Sequence, residues 1–286
     1  MIGGFRNGYV PLLGKLARLT FCLGCFALVG LAQAPPPQSG KLAYGVDRAN
    51  VADAVAKVKS GDFAAIHVDL LVRGGAVEAI PALEQQFTRV QDPILKAKIA
   101  AGLVRLGDKN EIYWAFLVRE ADVALRSTAP DYTGYNSEGH AVSQPSAEFE
   151  AWVKSTGASA DTAAEDSLYY FPARITILGW SRDARAVIYL REGLSSRNSM
   201  IQIAAAKGLA EIGDQNSVPL IIEACRKAPS EVAAVIAESL VYFDDESAQA
   251  AVDRYIPKDI AKMRRDARAN GETKPLSPPL YDKGPN

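Results

Sequence analysis

The sequence predicts an all-α fold, an α-solenoid of about five stacked helix pairs with an insertion in the third pair. The first observation behind this prediction is repetition, because three stretches follow one pattern of an apolar helix, a polar turn and a second apolar helix. The second observation is spacing. The second-helix leucines Leu209 and Leu240 are 31 residues apart, and Leu103 precedes Leu209 by 106 residues, close to three repeats. Fixed periods of this length are typical of stacked arrays, in which one helix pair cannot bury its apolar face alone.

The first helix of each repeat is predicted from apolar residues at positions i, i+3 and i+7, which form one stripe of a helix. The stripes are Ile80, Leu83 and Phe87, then Val187, Leu190 and Leu194, then Val218, Ile221 and Cys225. Pro81 and Pro219 fall in the first turn, where a missing N–H costs little because that donor has no partner within the helix. A lone cysteine on such a stripe is expected to act as a small buried hydrophobe.

The second helix of each repeat is predicted from its end signals and its small buried residues. Good N-cap residues open these helices, namely Asp92, Asn198 and Ser230. The buried side pairs alanine with larger apolar residues, as Ala100 with Leu103 and Leu106, and Ala206 with Leu209 and Ile212. Gly107 and Gly213 are predicted left-handed C-caps. The agreement among these local signals supports the helix-pair interpretation.

Four of these stretches, AIPAL, SVPLI, AAGLVRLGD and AAKGLAEIGD, resemble the HEAT-repeat family, including the short bacterial repeats called HEAT-like or bilin-lyase-type. The resemblance covers about Val51 to Tyr255 and implies five units with degenerate first and last copies. It implies an opening unit from Val51 to Arg73 and capping helices from about Ser247 to Ala269. Because a fold does not imply a function, the resemblance leaves the activity open.

The N-terminus has the three zones of a secretory signal peptide, predicted over residues 1–32. A basic region extends to Arg18, an apolar run follows from Leu19 to Leu31, and small residues come next. Thirteen apolar residues are too few to span a bilayer. Cleavage is expected after Ala32 because Pro35 would hinder cleavage after Ala34. The alternative is an uncleaved short anchor. Cleavage would leave an exported protein of the periplasm or cell envelope with no stable membrane span.

Three further segments follow the signal peptide in this interpretation. Residues 33–46 are a proline-rich linker, residues 47–270 form the HEAT-like repeat domain, and residues 271–286 are a disordered tail with four prolines and no apolar periodicity.

The third repeat is interrupted by an insertion over about residues 128–160. The helix from Glu111 to Ser127 is its first helix, whereas the partner helix ends only at Ile175, Leu178 and Gly179. Turn residues throughout Thr128 to Pro145 predict a loop, followed by a short helix from Ala147 to Lys154. Insertions in solenoids map to one face, often the binding face.

Two groups of residues are predicted to bind a partner. Tyr132, Tyr135 and His140 in the polar insertion are the first group, since aromatic residues anchor interfaces. A passive surface insertion is the alternative for this segment. The second group is an inner surface around Lys96, Arg105, Gln202 and Glu238.

The residues that would support catalysis are scarce, so no catalytic, cofactor-binding or metal-binding residue is predicted. The only histidines are His67, expected to be structural, and His140. The metal-dependent hydroxylases built on HEAT-like repeats need several His-Glu pairs, which this chain does not have. No haem, zinc-helix, nucleophile-elbow or phosphate-loop motif occurs. The acidic pairs near Glu165 and Asp245 and the mildly basic last helix are interpreted as solvated surface.

Charge excludes a general nucleic-acid binder. The formal net charge is −1, and the first 34 residues carry three cations and no acid, so the remaining chain is slightly acidic. Nucleic-acid binding, including that of HEAT-like DNA glycosylases, needs a basic surface.

These observations favour an exported, non-catalytic α-solenoid that serves as a protein–protein interaction scaffold. The alternative suggested by the resemblance is a bilin-lyase-like enzyme or chaperone-like factor that acts on a partner protein. A third possibility is an architectural component of the cell envelope with no discrete ligand.

Overall fold

Helix pairs follow one another along the chain from residue 48 to residue 269. The computed structural model describes residues 47–269. The predicted signal peptide, linker and tail lie outside the described residues. Within them, no helix is long and apolar enough to cross a membrane.

The first two pairs are α1 (Arg48–Ser60) with α2 (Ala65–Arg73) and α3 (Ile80–Arg89) with α4 (Pro93–Arg105). The third pair is interrupted and contains α5 (Glu111–Leu125), β1 (Thr133–Tyr135), β2 (Ala141–Pro145), α6 (Ala147–Thr156), α7 (Ala160–Glu165), a π-helical segment (Asp166–Tyr170) and α8 (Phe171–Trp180). The fourth and fifth pairs are α9 (Val187–Gly193) with α10 (Ser199–Ile212) and α11 (Val218–Lys227) with α12 (Ser230–Ala237). A closing pair follows, α13 (Glu246–Tyr255) and α14 (Lys258–Ala269). This order confirms the predicted solenoid.

The second helices form one continuous layer. α2 packs on α4, α4 on α8, α8 on α10, and α10 on α12. The insertion does not break this layer, because α8 returns to lie beside α4 and α5 before the chain continues to α9. The core therefore runs between the layer of first helices and the layer of second helices, with Leu83, Leu103, Leu190 and Leu209 fully buried.

Most predicted helix ends are confirmed by their hydrogen bonds. The carboxylate of Asp92 accepts from the backbone N–H of Leu95 at 2.6 Å, and the Asn198 side chain accepts from two backbone N–H groups of α10. Gly107 and Gly213 have φ values of 92° and 79°, as left-handed caps require.

The predicted N-cap at Ser230 is wrong by one residue. Pro229 is the N-cap of α12, and Ser230 is its first helical residue. The Ser230 hydroxyl instead donates to the backbone carbonyl of Glu138 in the insertion, at 2.7 Å. A long-range contact has therefore replaced the local capping bond.

The predicted loop from Thr128 to Pro145 is also wrong, because it contains a β-hairpin. Strands β1 and β2 pair antiparallel, with Thr133 opposite Pro145 and Tyr135 opposite Ala141. At the turn, the Asn136 side chain accepts from the N–H groups of Glu138 and His140, and Gly139 has a φ of 81°. The short strands and abundant turn residues hid the hairpin, although a four-residue turn that ends in glycine is a hairpin signal. The short helix predicted after it is confirmed as α6.

The predicted burial of the Cys225 side chain is confirmed. It is 1% exposed within the apolar stripe of α11. Burial raises the pKa of this thiol to about 12, so the reactive thiolate form is suppressed at neutral pH.

The second helices α8 and α10 approach each other closely at two glycines. A Cβ on Gly179 would overlap the Cα of Gly208, and a Cβ on Gly208 would lie 3.1 Å from the Cα of Gly179. Backbone atoms cannot rotate away as side chains can, so any larger residue must push the two helices apart.

We predict that Gly179→Ala destabilises the protein by about 1–3 kcal/mol, the usual cost of overpacking a core. Gly102→Ala in α4 is the matched control, because its Cβ would meet a methyl group of Val68 at 2.8 Å rather than backbone. A buried valine methyl yields less readily than the end of a longer side chain but more readily than backbone, so Gly102→Ala should cost less than Gly179→Ala. Both variants gain about 1 kcal/mol of helix propensity. Urea unfolding of both variants measures the difference. Equal free energies of unfolding for the two variants would contradict the proposed role of the glycine contact.

Candidate functional site

The hairpin of the insertion lies on the N-terminal ends of α10 and α12. The phenol of Tyr135 is 3.2 Å from the hydroxyl of Ser199, the first residue of α10. His140 Nδ1 is 3.1 Å from a carboxylate oxygen of Glu231, whose other oxygen accepts from the backbone N–H of Ala141 at 2.8 Å. The hairpin therefore links the third repeat to the fourth and fifth.

Tyr135 is held at the turn end of this hairpin by burial and hydrogen bonding. Burial, together with the negative charge of Asp131, raises the pKa of Tyr135 to about 12. Burial likewise raises the pKa of Asp131, which accepts hydrogen bonds from Ser199 and Thr133. The phenol of Tyr135 therefore stays protonated at neutral pH, and its hydrogen bond with Ser199 is a structural contact.

Tyr132 anchors the other end of the hairpin. Its ring meets that of Phe149 on α6 edge to face, with centroids 5.1 Å apart, a geometry that aromatic pairs favour. Tyr132, Tyr135 and His140 therefore lie on one element, and all three contact other parts of the same chain. Their role in binding a partner stays a prediction.

The other two predicted site residues lie on opposite sides of α4. The ammonium of Lys96 is 5.0 Å from the ring of Phe87 and 5.9 Å from that of Phe116, so it points toward the first helices α3 and α5. Arg105 points the other way and donates to the backbone carbonyl of Trp180 at 3.0 Å. They are nine positions apart, which is two and a half helical turns and places them on opposite faces of α4. The predicted grouping of Lys96 with Arg105 on one inner surface is wrong.

Arg105 belongs instead to a charged cluster around Trp180, which we call the Trp180 cluster. Lys98 Nζ lies 3.4 Å from the centroid of the Trp180 ring, and Arg105 Cζ lies 5.0 Å from it, distances typical of cation–π contacts. Lys98 also pairs with Asp69 of α2 at 2.7 Å. The sequence interpretation missed Lys98, although its spacing of seven residues from Arg105 places both on one helix face.

Glu211 of α10 joins the cluster from the next repeat. Its carboxylate lies 3.4 Å from Arg105 and 2.8 Å from Arg182. Burial raises the pKa of Glu211 and lowers that of Arg105 to about 10, so desolvation outweighs their mutual attraction. Arg73 at the end of α2 also contributes, since its charge lowers the pKa of both Lys98 and Arg105.

The Trp180 cluster carries a positive excess. Among the described residues, it contains four cations, Arg73, Lys98, Arg105 and Arg182, and two carboxylates, Asp69 and Glu211. The cluster lies near the C-terminal ends of successive second helices, where the helix dipole favours cations. Ser199 under the hairpin and Glu211 in the cluster are about 18 Å apart along α10. The hairpin and the cluster are therefore separate.

Arg182 has an unusual backbone conformation, with a φ of 56°; no other non-glycine residue within 47–269 has a positive φ. At the corresponding position after α2, α4 and α10 the chain has glycine, with positive φ in each case, namely Gly75, Gly107 and Gly213. An L-residue in the left-handed region costs about 1–2 kcal/mol. The third repeat thus carries an arginine where three other repeats use glycine, which removes this cost.

The remaining candidates from the sequence have structural contacts. His67 accepts a hydrogen bond from the backbone N–H of Ala64 at the start of α2. Asp245 caps α13, and in the last helix Arg264, Arg265 and Arg268 pair with Glu238, Asp253 and Asp244. Within residues 47–269, no three or more histidine, cysteine or acidic side chains are grouped so as to hold a metal ion.

We predict that Gly139→Ala loosens the hairpin, because its Cβ would lie 2.5 Å from the backbone nitrogen of Ser230. Gly157→Ala is the control: this glycine also has a positive φ, of 69°, but a Cβ added to it would meet no atom within 4 Å. Limited proteolysis should cleave the hairpin faster in Gly139→Ala than in Gly157→Ala. Equal cleavage rates would show that the contact with α12 does not hold the hairpin.

Comparison with known proteins identifies the repeats. A family model described as HEAT repeats matches residues 173–267. The match begins in α8 and ends in α14, so it covers the fourth and fifth pairs and the closing pair. No curated protein and no solved structure matches the chain. Residues 173–267 are therefore identified as HEAT repeats, and the described residues form an all-α solenoid.

Proposed function

We propose that this protein is a non-catalytic scaffold that binds a protein partner on its second-helix face. We define this face by nine residues that are not fully buried. Eight lie on second helices, namely Asp69, Arg73, Lys98, Arg105, Thr176, Trp180, Lys207 and Glu211, and the ninth, Glu238, directly follows α12. HEAT repeats often mediate protein interactions, and stacked repeats create extended binding surfaces.

The observation that carries this proposal is the Trp180 cluster, in which side chains from four successive second helices meet. Burial shifts the pKa values of Lys98, Arg105 and Glu211 toward their neutral forms, which shows that these groups are already partly removed from water. Binding a partner over them therefore costs less desolvation free energy than it would over fully hydrated charges. Arginine and tryptophan are also the residue types that most often dominate binding energy at protein interfaces.

The first halves of the second helices complement the charged cluster with apolar side chains. Ile66 of α2 is 58% exposed, and Met200 and Ile203 of α10 are partly exposed. Interfaces with protein partners combine such apolar residues with a polar rim. The second-helix face therefore offers both components on one continuous layer.

The hairpin has a different, structural role in this proposal. Because its tyrosines and histidine contact α6, α10 and α12, we assign it to hold neighbouring repeats together while the second-helix face binds the partner.

We predict that a photo-crosslinking phenylalanine analogue at Thr176 captures a specific partner in cells. Thr176 is exposed on α8, one turn before Trp180. The same analogue at Ile188 is the control, because this residue is 66% exposed on the first helix α9. Capture of one protein from position 176 and not from position 188 supports the proposal. Equal capture from both positions would overturn the assignment of the face.

We propose further that the protein works outside the cytoplasm, in the periplasm or cell envelope. The support is the basic, apolar and small-residue order of residues 1–32.

Mass spectrometry of the exported protein should find Gln33 as the first residue, because Pro35 disfavours cleavage after Ala34. Retention of residues 1–32 on all of the protein would rule out this localisation.

A further inference from the structure

Arg182 combines a charged contact in the Trp180 cluster with a strained backbone. Its backbone is in the left-handed region, where glycine stands after α2, α4 and α10. Strain of this kind persists when the surrounding structure imposes it, and it concentrates at functional positions. Glycine at position 182 would remove the strain.

Arg182 and Arg105 share one carboxylate. Glu211 lies 2.8 Å from Arg182 and 3.4 Å from Arg105, so two guanidinium groups face one negative charge. The charge of Arg182 also lowers the pKa of Arg105, so these two cations repel each other across the carboxylate.

The geometry points to a binding site for an acidic peptide segment of the partner, with Arg182 as a residue that contacts its carboxylates. This inference rests on the proposed scaffold function and names the chemistry of the partner. The cluster has four cations for two carboxylates, so one or two further carboxylates would balance its charge. The side chain of Arg182 is 21% exposed and Arg73 is exposed, so both are accessible to a peptide.

The same charges disfavour a nucleic acid. Asp69 and Glu211 lie among the cations and would repel a row of phosphates, whereas two separate carboxylates can approach the arginines individually. Nucleic-acid binding also relies on a basic surface, and this chain has a net charge of −1.

The test uses a fluorescein-labelled glutamate-rich peptide, the same peptide with glutamine at each glutamate, and the full protein. Fluorescence anisotropy should detect binding of the glutamate peptide and not of the glutamine peptide. Arg182→Gly should lower the affinity for the glutamate peptide about tenfold, the effect expected for the loss of one charge-assisted contact. Its helical circular dichroism signal should match that of the wild type at the assay temperature, so that weaker binding reports the lost contact and not unfolding.

Arg182→Asn and Arg226→Gln complete the set. Asparagine tolerates the left-handed conformation, so Arg182→Asn separates loss of the guanidinium from the extra freedom of glycine and should weaken binding equally. Arg226 lies on the first helix α11, and Arg226→Gln makes the same change in net charge away from the cluster. This variant should bind the glutamate peptide as the wild type does.

Three results would overturn the inference: no binding of the glutamate peptide by the wild type, equal binding by Arg182→Gly and the wild type, or an Arg182-dependent affinity for a single-stranded oligonucleotide as high as that for the peptide. If the peptide fails but crosslinking at Thr176 still captures a partner, the scaffold function stands and only the acidic chemistry is wrong. If crosslinking also fails to distinguish the two helix faces, the scaffold function fails with it.

Discussion

The arrangement of this solenoid depends on the backbone contact between α8 and α10 at Gly179 and Gly208. An insertion separates α8 from its partner α5 in the chain, so local sequence cannot set the position of α8. Two facing glycines let the helices approach until their backbones touch, and such a contact defines distance and register more tightly than flexible side chains do. Trp180 follows Gly179 directly, and Arg182 and Glu211 each follow one of the two glycines by three residues. The glycine contact therefore also brings the charged groups of two repeats together.

The insertion is accommodated because its own polar groups bind to the helices that it crosses. Asn198 caps α10 and also donates to the backbone carbonyl of Ser167 at 3.0 Å. Glu231 in the first turn of α12 receives His140 and the N–H of Ala141. Both connections use helix N-termini, where acidic and acceptor side chains are favourable. The hairpin thus spans two repeats without requiring a hydrophobic core of its own.

The Trp180 cluster contributes less to stability than its number of ion pairs suggests. Removing charges from water is costly, and buried ion pairs are often no more stabilising than apolar residues of similar size. Here burial lowers the pKa of Lys98 and of Arg105 and raises that of Glu211, which means that the charged forms are disfavoured by their surroundings. The left-handed Arg182 adds a further cost. These costs are the reason that the proposed function assigns this surface to recognition.

The sequence by itself determined the helix pairs, most of their caps, the buried stripes and the place of the insertion, because these depend on local propensities and on a period that repeats. The spacing of apolar residues alone predicts that Leu103, Leu209 and Cys225 are buried.

Only the tertiary structure decided which surface each polar residue joined. Lys96 and Arg105 lie on different faces of α4. Ser230 donates to the hairpin instead of capping α12. Glu211 of the fourth repeat pairs with Arg105 of the second. These outcomes depend on contacts between residues far apart in the chain, and the geometry of such contacts is set by how neighbouring helices pack.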